Sequence, residues 1–272
     1  MWNMNTLFGD YDIVFITLDT LRYDVAAQEL ASGNLPVLSQ HITDWEPRHS
    51  PGSFTYAAHH AFFSGFFPTP VDNPTSPRPF AVSFAGSTSI NDNTKCFNTA
   101  TIIEGAAQEG YHTICIGGVG FFNKKTALGS VLPDLFSESH WHEGLGVTCK
   151  DSTKQQVDQA ISSLNAMPSA QRALLFINVS AIHQPNYFYR HNASDTSQQH
   201  DDLNSHAAAL RYVDAQLKPL FEICKKRRNT MFFICSDHGT TYGEDGYSGH
   251  RLAHEHVWTV PFAQFIQKAS DD

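Results

Sequence analysis

Two aspartates, one threonine and several histidines stand where apolar runs of this 272-residue chain break into polar ones. The clearest case is "MFFICSDHG", a strand-like run leading into Ser236, Asp237, His238 and Gly239. A sharp turn at Gly239 lets the neighbours Asp237 and His238 both reach one ion. "VFITLDTLRYD" ends a second run at Asp19, which reads as a metal ligand or as a helix N-cap. Arg22 and Asp24 beside it read as a local ion pair or cap. "SPGSFTYAAHHAFFSGFFP" places Thr55 before a helical stretch, Tyr56 to Ser64, that closes at Gly65. Backbone N–H groups at a helix start favour an anion, so the Thr55 hydroxyl is either a cap or a nucleophile. His59, one turn after Thr55, is better placed to face that point than its neighbour His60. "NVSAIHQPNY" puts His183 at a third exit, before a Gln-Pro turn. His250, His254 and His256 crowd a later segment, where His254 and His256 are expected to alternate across a strand. Two carboxylates, a hydroxyl and an imidazole suit Mn²⁺ or Zn²⁺, and Mg²⁺ or Ca²⁺ less well because of the imidazole.

These groups can meet only if the elements before them end on one edge. Four runs read as buried parallel strands: Asp12 to Leu18, His112 to Gly118, Ala173 to Val179 and Thr230 to Ser236. Helical patterns lie between them. "NTATIIEGAAQEG" has an Asn to cap its start, and "TKQQVDQAISSLNAM" stops before Pro168. "LNSHAAALRYVDAQL" lines up Leu203, Ala207, Leu210, Asp214 and Leu217, and Pro219 is expected to bend or interrupt the chain beyond it. Alternating strand and helix implies a doubly wound, mostly parallel α/β sheet in three α/β/α layers, with ligands beyond the strands' carboxyl ends. Residues 1–272 read as one catalytic domain, with the Pro- and Ser-rich stretch 71–93 as a surface excursion.

Composition narrows the partners. A net charge of -9 argues against nucleic acid as the main partner. No run reaches the roughly 18 apolar residues of a membrane helix, so no membrane partner is expected. The dense basic run "KKRRN" reads as a solvated helix C-terminus. The five cysteines are odd in number and widely spaced, which fits reduced thiols in a cytoplasmic protein.

The motifs in order resemble the alkaline phosphatase superfamily in its sulfatase-like branch, over nearly the whole chain. "IVFITLDTLRYD" is similar to the family's opening strand with its metal-binding Asp, here Asp19. "FTYAAHHAFFSGFFP" resembles the nucleophile helix, whose nucleophile lies nine residues before a Ser/Thr-Gly pair; Ser64-Gly65 maps it to Thr55. "FINVSAIHQPN" resembles the segment with a substrate-contacting His-x-Pro, which maps to His183. "FFICSDHG" and "VWTVPF" are similar to the last metal-binding strand and the closing Val-Pro segment.

The departures bear on activity. Thr55 cannot supply the formylglycine of sulfatases, His59 stands where their Arg would be, and "GGVG" replaces their Gly-Lys-x-His. A Thr nucleophile is typical of the family's phosphodiesterase, phosphonate monoester hydrolase and phosphotransferase-like relatives. The resemblance therefore implies a metal-dependent hydrolase or transferase of small-molecule phosphate or phosphonate esters, working through a Thr55 phospho-enzyme. The alternatives are a sulfate-ester hydrolase without formylglycine and a non-catalytic metal-binding protein. Asp19, Thr55, Asp237 and His238 are expected to form one strong metal site. His183, His250 and His59 are expected to stabilise charge or protonate the leaving group. The alternative for His183, His250 and His254 is a second, weaker metal site. The residues do not indicate an oligomeric state.

Overall fold

The computed structural model describes residues 2–65, 80–81, 95–96, 101–190 and 200–270. Seven strands form the main sheet: β1 (Asp12–Leu18), β2 (Glu46–His49), β3 (Tyr111–Ile116), β4 (Glu138–His140), β5 (Arg172–Val179), β6 (Thr230–Cys235) and β7 (Thr259–Gln267). Their order is β2-β7-β6-β1-β5-β3-β4. β1 pairs in parallel with both β5 and β6, so the strands ending at Asp19 and Asp237 are direct neighbours. β7 runs antiparallel to β6 and β2. The four runs expected as parallel strands are the centre of this sheet, shifted by at most two residues at their ends.

Five helices position the rest: α1 (Tyr23–Ala31), α2 (Thr55–Ser64), α3 (Ile102–Gln108), α4 (Ser152–Ala166) and α5 (Leu203–Arg227). Alternate residues of β1 point to opposite faces. Val14, Ile16 and Leu18 join a core with α1, α4 and α5, while Ile13 joins a second core with α2 and α3. This is the expected α/β/α layering. Phe176 of β5 is fully buried in the second core against Phe63, Phe122 and Phe136. Burying a side chain of that size stabilises by about 1.5–3 kcal/mol.

Local details depart from the sequence reading. Thr101 caps α3 through a capping box with Glu104; the Asn expected in that role, Asn98, lies outside the described residues. Helix α5 runs through Pro219. The ring removes one intrahelical hydrogen bond, but fully buried Leu217 and Leu220 on either side hold the helix against the sheet. Leu203, expected on the apolar stripe, is 40% exposed at the first turn. Asp214, on the same stripe, is buried because its carboxylate accepts the N–H groups of Val37 and Leu38 at 3.0 and 2.8 Å. In the basic run, Lys225 and Lys226 are exposed, whereas Arg227 is half-buried and bonds Asp12 at 2.9 Å. Cys115, Cys149, Cys224 and Cys235 are free. Of the stretch 71–93, only Phe80–Ala81 is described, paired in parallel with Lys95–Cys96; the rest lies outside the described residues. Among the described residues no helix is long and apolar enough to cross a membrane.

Candidate active site

Asp19 and Asp237 leave the carboxyl ends of adjacent parallel strands, and both are fully buried. Each carboxylate is held by one oxygen. Asp19 Oδ2 accepts from Asn178 Nδ2 (3.1 Å) and the Thr55 hydroxyl (3.3 Å). Asp237 Oδ1 accepts from the N–H groups of Thr20 (3.2 Å) and His238 (3.0 Å). Thr20 reaches that oxygen from a left-handed backbone with φ 65°, a costly conformation that a non-glycine residue keeps only where its surroundings enforce it. The other two oxygens, Asp19 Oδ1 and Asp237 Oδ2, are buried with no hydrogen-bond partner.

His238 completes the group. Its Nδ1 lies 2.8 Å from the Gly239 carbonyl, which can only accept, so Nδ1 carries the proton and Nε2 presents a lone pair. Nε2 stands 3.3 Å from Thr55 Oγ1, 3.5 Å from Asp237 Oδ2 and 4.0 Å from Asp19 Oδ1. The turn depends on Gly239, where a Cβ would lie 1.9 Å from the His256 carbonyl oxygen. Among the described residues, Asp19, Asp237 and His238 are the one set of three acidic, His or Cys ligands with atoms all within 4.8 Å of one another.

The electrostatics fit a cation. Burial, reinforced by the Asp237 charge, pushes the Asp19 carboxyl up to about 6. Burial pushes Asp237 up to about 7 and holds the His238 imidazole below its ordinary value. Two orphaned carboxylate oxygens and one imidazole lone pair converging in a buried site form a mixed oxygen and nitrogen donor set. Thr55, 3% exposed at the first residue of α2, adds a hydroxyl at a helix start, where the dipole favours an anion.

The expected histidines separate. His59 is fully buried beneath Thr55, ringed by Phe62, Phe63, Phe122 and Phe176. Its Nδ1–H donates to the Thr55 carbonyl at 2.7 Å, and its Nε2 accepts from the Thr17 hydroxyl at 2.9 Å. Burial drives its pKa down to about 3, so the ring is neutral; it supports the start of the helix, with Nδ1 3.7 Å from Asp237 Oδ2. His183 and His250 do come to the site. Their ring centroids are 5.8 Å apart, and that of His250 is 4.5 Å from His238. Both are partly exposed and so mark the open side. Burial lowers the His250 pKa to about 3, leaving a neutral imidazole whose Nδ1 has no partner. His254 turns elsewhere: its Nε2 is 3.3 Å from Asp245, and its ring contacts are Tyr247 and His256. Nor do His254 and His256 alternate on a strand. His254 caps one helical turn, Glu255–Trp258, which contains His256, and its side chain accepts the His256 N–H.

Several site residues escaped the sequence reading. Asn178, buried near the end of β5, bonds Asp19 and the Thr17 hydroxyl while accepting the Val119 N–H at 3.0 Å. The signal was a polar residue in the otherwise apolar "LLFINV". Gly118 makes room for it, because a Cβ there would lie 2.2 Å from the Asn178 carbonyl oxygen. The expected Arg22–Asp24 pair is present at 2.6 Å, and fully buried Arg22 also bonds Glu244. Glu244 lies in the hairpin of Thr241–Tyr242 with Ser248–Gly249, which leads to His250.

Such a sheet, with two aspartates, a histidine and a helix-start threonine gathered at its carboxyl edge, defines an alkaline-phosphatase-like α/β protein. The family model described as Sulfatase matches residues 11–263, and the chain belongs to that family, as a sulfatase-like member of the alkaline phosphatase superfamily. No curated protein matches the sequence. The C-terminal periplasmic domain of phosphoethanolamine transferase EptC from Campylobacter jejuni is 15% identical. It superimposes with a TM-score of 0.64, covering 94% of this chain and 79% of that one. The corresponding domain of EcEptC from Escherichia coli, in complex with Zn, is 12% identical with a TM-score of 0.64, covering 96% and 74%. The lipoteichoic acid synthase LtaP from Listeria monocytogenes is 12% identical with a TM-score of 0.58, covering 97% and 67%. At these identities the likeness is one of fold.

Proposed function

We propose that the chain is a metal-dependent enzyme that transfers or hydrolyses phosphate or phosphonate esters, with Thr55 as nucleophile. One observation carries this reading. The two buried carboxylates each keep an unpartnered oxygen beside the His238 lone pair and the Thr55 hydroxyl. Asp19, Asp237, His238 and Thr55 would hold a divalent ion, Mn²⁺ or Zn²⁺ by donor type. When bound, that ion supplies positive charge that favours the Thr55 alkoxide and polarises the phosphoryl oxygen. The Zn complex of the E. coli relative agrees with this choice of metal. The names of the relatives agree with phosphoester chemistry.

The side chains divide the work. The Thr55 hydroxyl donates to Asp19 Oδ2 at 3.3 Å, which gives its proton an acceptor as the oxygen attacks phosphorus. The phosphoryl oxygens face the start of α2, where the helix dipole favours negative charge. His59 holds the Thr55 carbonyl from below and fixes the nucleophile's approach. His250, neutral near pH 7, gives a hydrogen bond to developing charge. His183 is placed to assist the leaving oxygen. Water or an acceptor hydroxyl then takes the phosphoryl group from Thr55.

The test is turnover of nitrophenyl phosphate monoesters, diesters, a phosphonate ester and a sulfate ester with added Mn²⁺ or Zn²⁺, alongside mass spectrometry of the quenched enzyme. We expect phosphorus-ester turnover and a phosphoryl adduct on Thr55. Thr55→Ala should lower turnover by at least about 10³-fold. Full activity in that variant would sink the mechanism. Sulfate-ester turnover alone would sink the substrate class.

A further inference from the structure

The rim of the site carries a cation that the proposed mechanism leaves idle. Arg251 follows His250 directly, with its backbone at φ 69°. A non-glycine residue seldom takes that conformation unless its surroundings hold it. Here its N–H donates to the Ser53 carbonyl at 2.8 Å. Its guanidinium carbon lies 5.3 Å over the ring of Phe54, a cation–π distance. Ser53 and Phe54 are the two residues before Thr55. Both ends of Arg251 are therefore tied to the entrance of the nucleophile helix. Phe54 is itself braced, with its ring 6.1 Å from Phe121, which in turn lies 5.6 Å from Tyr56.

The charge is unspent. Arg22, Arg211 and Arg227 each pair with a carboxylate. Among the described residues the guanidinium of Arg251 pairs with no carboxylate, and its contact is the face of Phe54. An Arg in that position offers a fork of N–H donors to a planar or tetrahedral anion. It sits outside the reacting centre. Thr55 is 3% exposed, whereas Arg251 is exposed, one residue further out along the same entrance. A reacting phosphoryl group on Thr55 meets the inner donors, so Arg251 faces whatever the substrate extends toward solvent. In a chain of net charge -9, a cation at this mouth is what would make an extending anion welcome.

We propose that Arg251 binds a second anionic group of the substrate, a carboxylate or a phosphate joined by a short linker to the reacting phosphoryl group. The site is then selective for doubly anionic esters. This rests on Thr55 being the reacting centre.

The test uses the full chain loaded with Mn²⁺ or Zn²⁺ and three 4-nitrophenyl phosphodiesters. Their second ester arms are 2-carboxyethyl, 2-carbamoylethyl and 2-phosphonooxyethyl. We expect kcat/KM at least about tenfold higher for an anionic arm than for the isosteric amide, as one charged hydrogen-bonded contact supplies. The carboxylate and phosphate arms distinguish the two anions. In Arg251→Ala the ratio should collapse to near one, and Arg251→Lys, which keeps the charge, should retain part of it. Equal kcat/KM for the anionic and amide arms in the wild type overturns the proposal. So does a fall by the same factor for all three arms in Arg251→Ala, the mark of a merely structural role. If no ester turns over, the catalytic reading fails, and calorimetry with phosphonoacetate and methylphosphonate still decides the second-anion site. Tighter binding of phosphonoacetate that Arg251→Ala abolishes supports it, and equal affinities refute it.

Discussion

The floor and the rim of this site are built on different terms. On the floor, Asp19, Thr55, His59, Asn178, Asp237 and His238 are all buried and leave rigid strand ends or a helix start. They hold one another through short polar contacts, and only the atoms facing the common centre lack partners. On the rim, His183, His250 and Arg251 sit on loops, partly or fully exposed. Buried polar groups are costly unless satisfied, so each floor residue restricts its neighbours. Exposed rim residues carry no such restriction. On the proposed reading the metal ligands and the nucleophile belong to the floor, while His183, His250 and Arg251 on the rim meet the leaving group and the rest of the substrate.

That contrast can be broken from several sides. The largest effect should come from Asp237→Asn. It keeps the shape but removes charge at one orphaned oxygen, so elemental analysis should find bound metal lost and turnover down about 10²–10³-fold. Metal retained at full stoichiometry would place the ion elsewhere. Outside the ligand set, Asn178→Leu should keep the fold yet weaken metal affinity by about 10–100-fold, read by competition with a chelator, because Asp19 loses its orienting donor. Unchanged affinity would remove Asn178 from the floor.

The floor should also show itself through pH. Asp19 and Asp237 are raised to about 6 and about 7 from an ordinary 3.8. Their stabilising, protonated form is complete below the ordinary carboxylate range and is lost as pH rises through those values. Metal-stripped protein should therefore melt at lower temperature at pH 8 than at pH 5. Added Mn²⁺ or Zn²⁺ should raise the melting temperature more at pH 8 than at pH 5. A metal increment that does not change with pH would count against the paired carboxylates as its seat. At the far end of the scale, His254→Ala should change turnover less than about twofold and stability by no more than about 0.5 kcal/mol. A larger loss of turnover would carry the site out to His254.

Strand order explains which parts could be read early. Asp19 and Asp237 follow uninterrupted β-rich runs, and a parallel sheet must gather the ends of such runs on one edge. Thr55 follows from helix periodicity and the Gly65 stop, observed at φ 77°. The histidines were harder. His59 and His250 carry the same side chain, yet one lies in an aromatic box and the other at the mouth. Asn178 hid inside a strand, where burial and neighbours are invisible to local pattern.

Periodicity and turn chemistry are local, so the residues alone settled the α/β layering, the strand exits and the pairing of distant Asp19 with Asp237 and His238. Which oxygen is held and which is free, which histidine props the helix and which lies on the open side, and which ring Arg251 rests on are all relations between segments far apart in the chain. Close packing of β1 against β5 and β6, with Gly118 and Gly239 admitting the backbone of other segments, decided those.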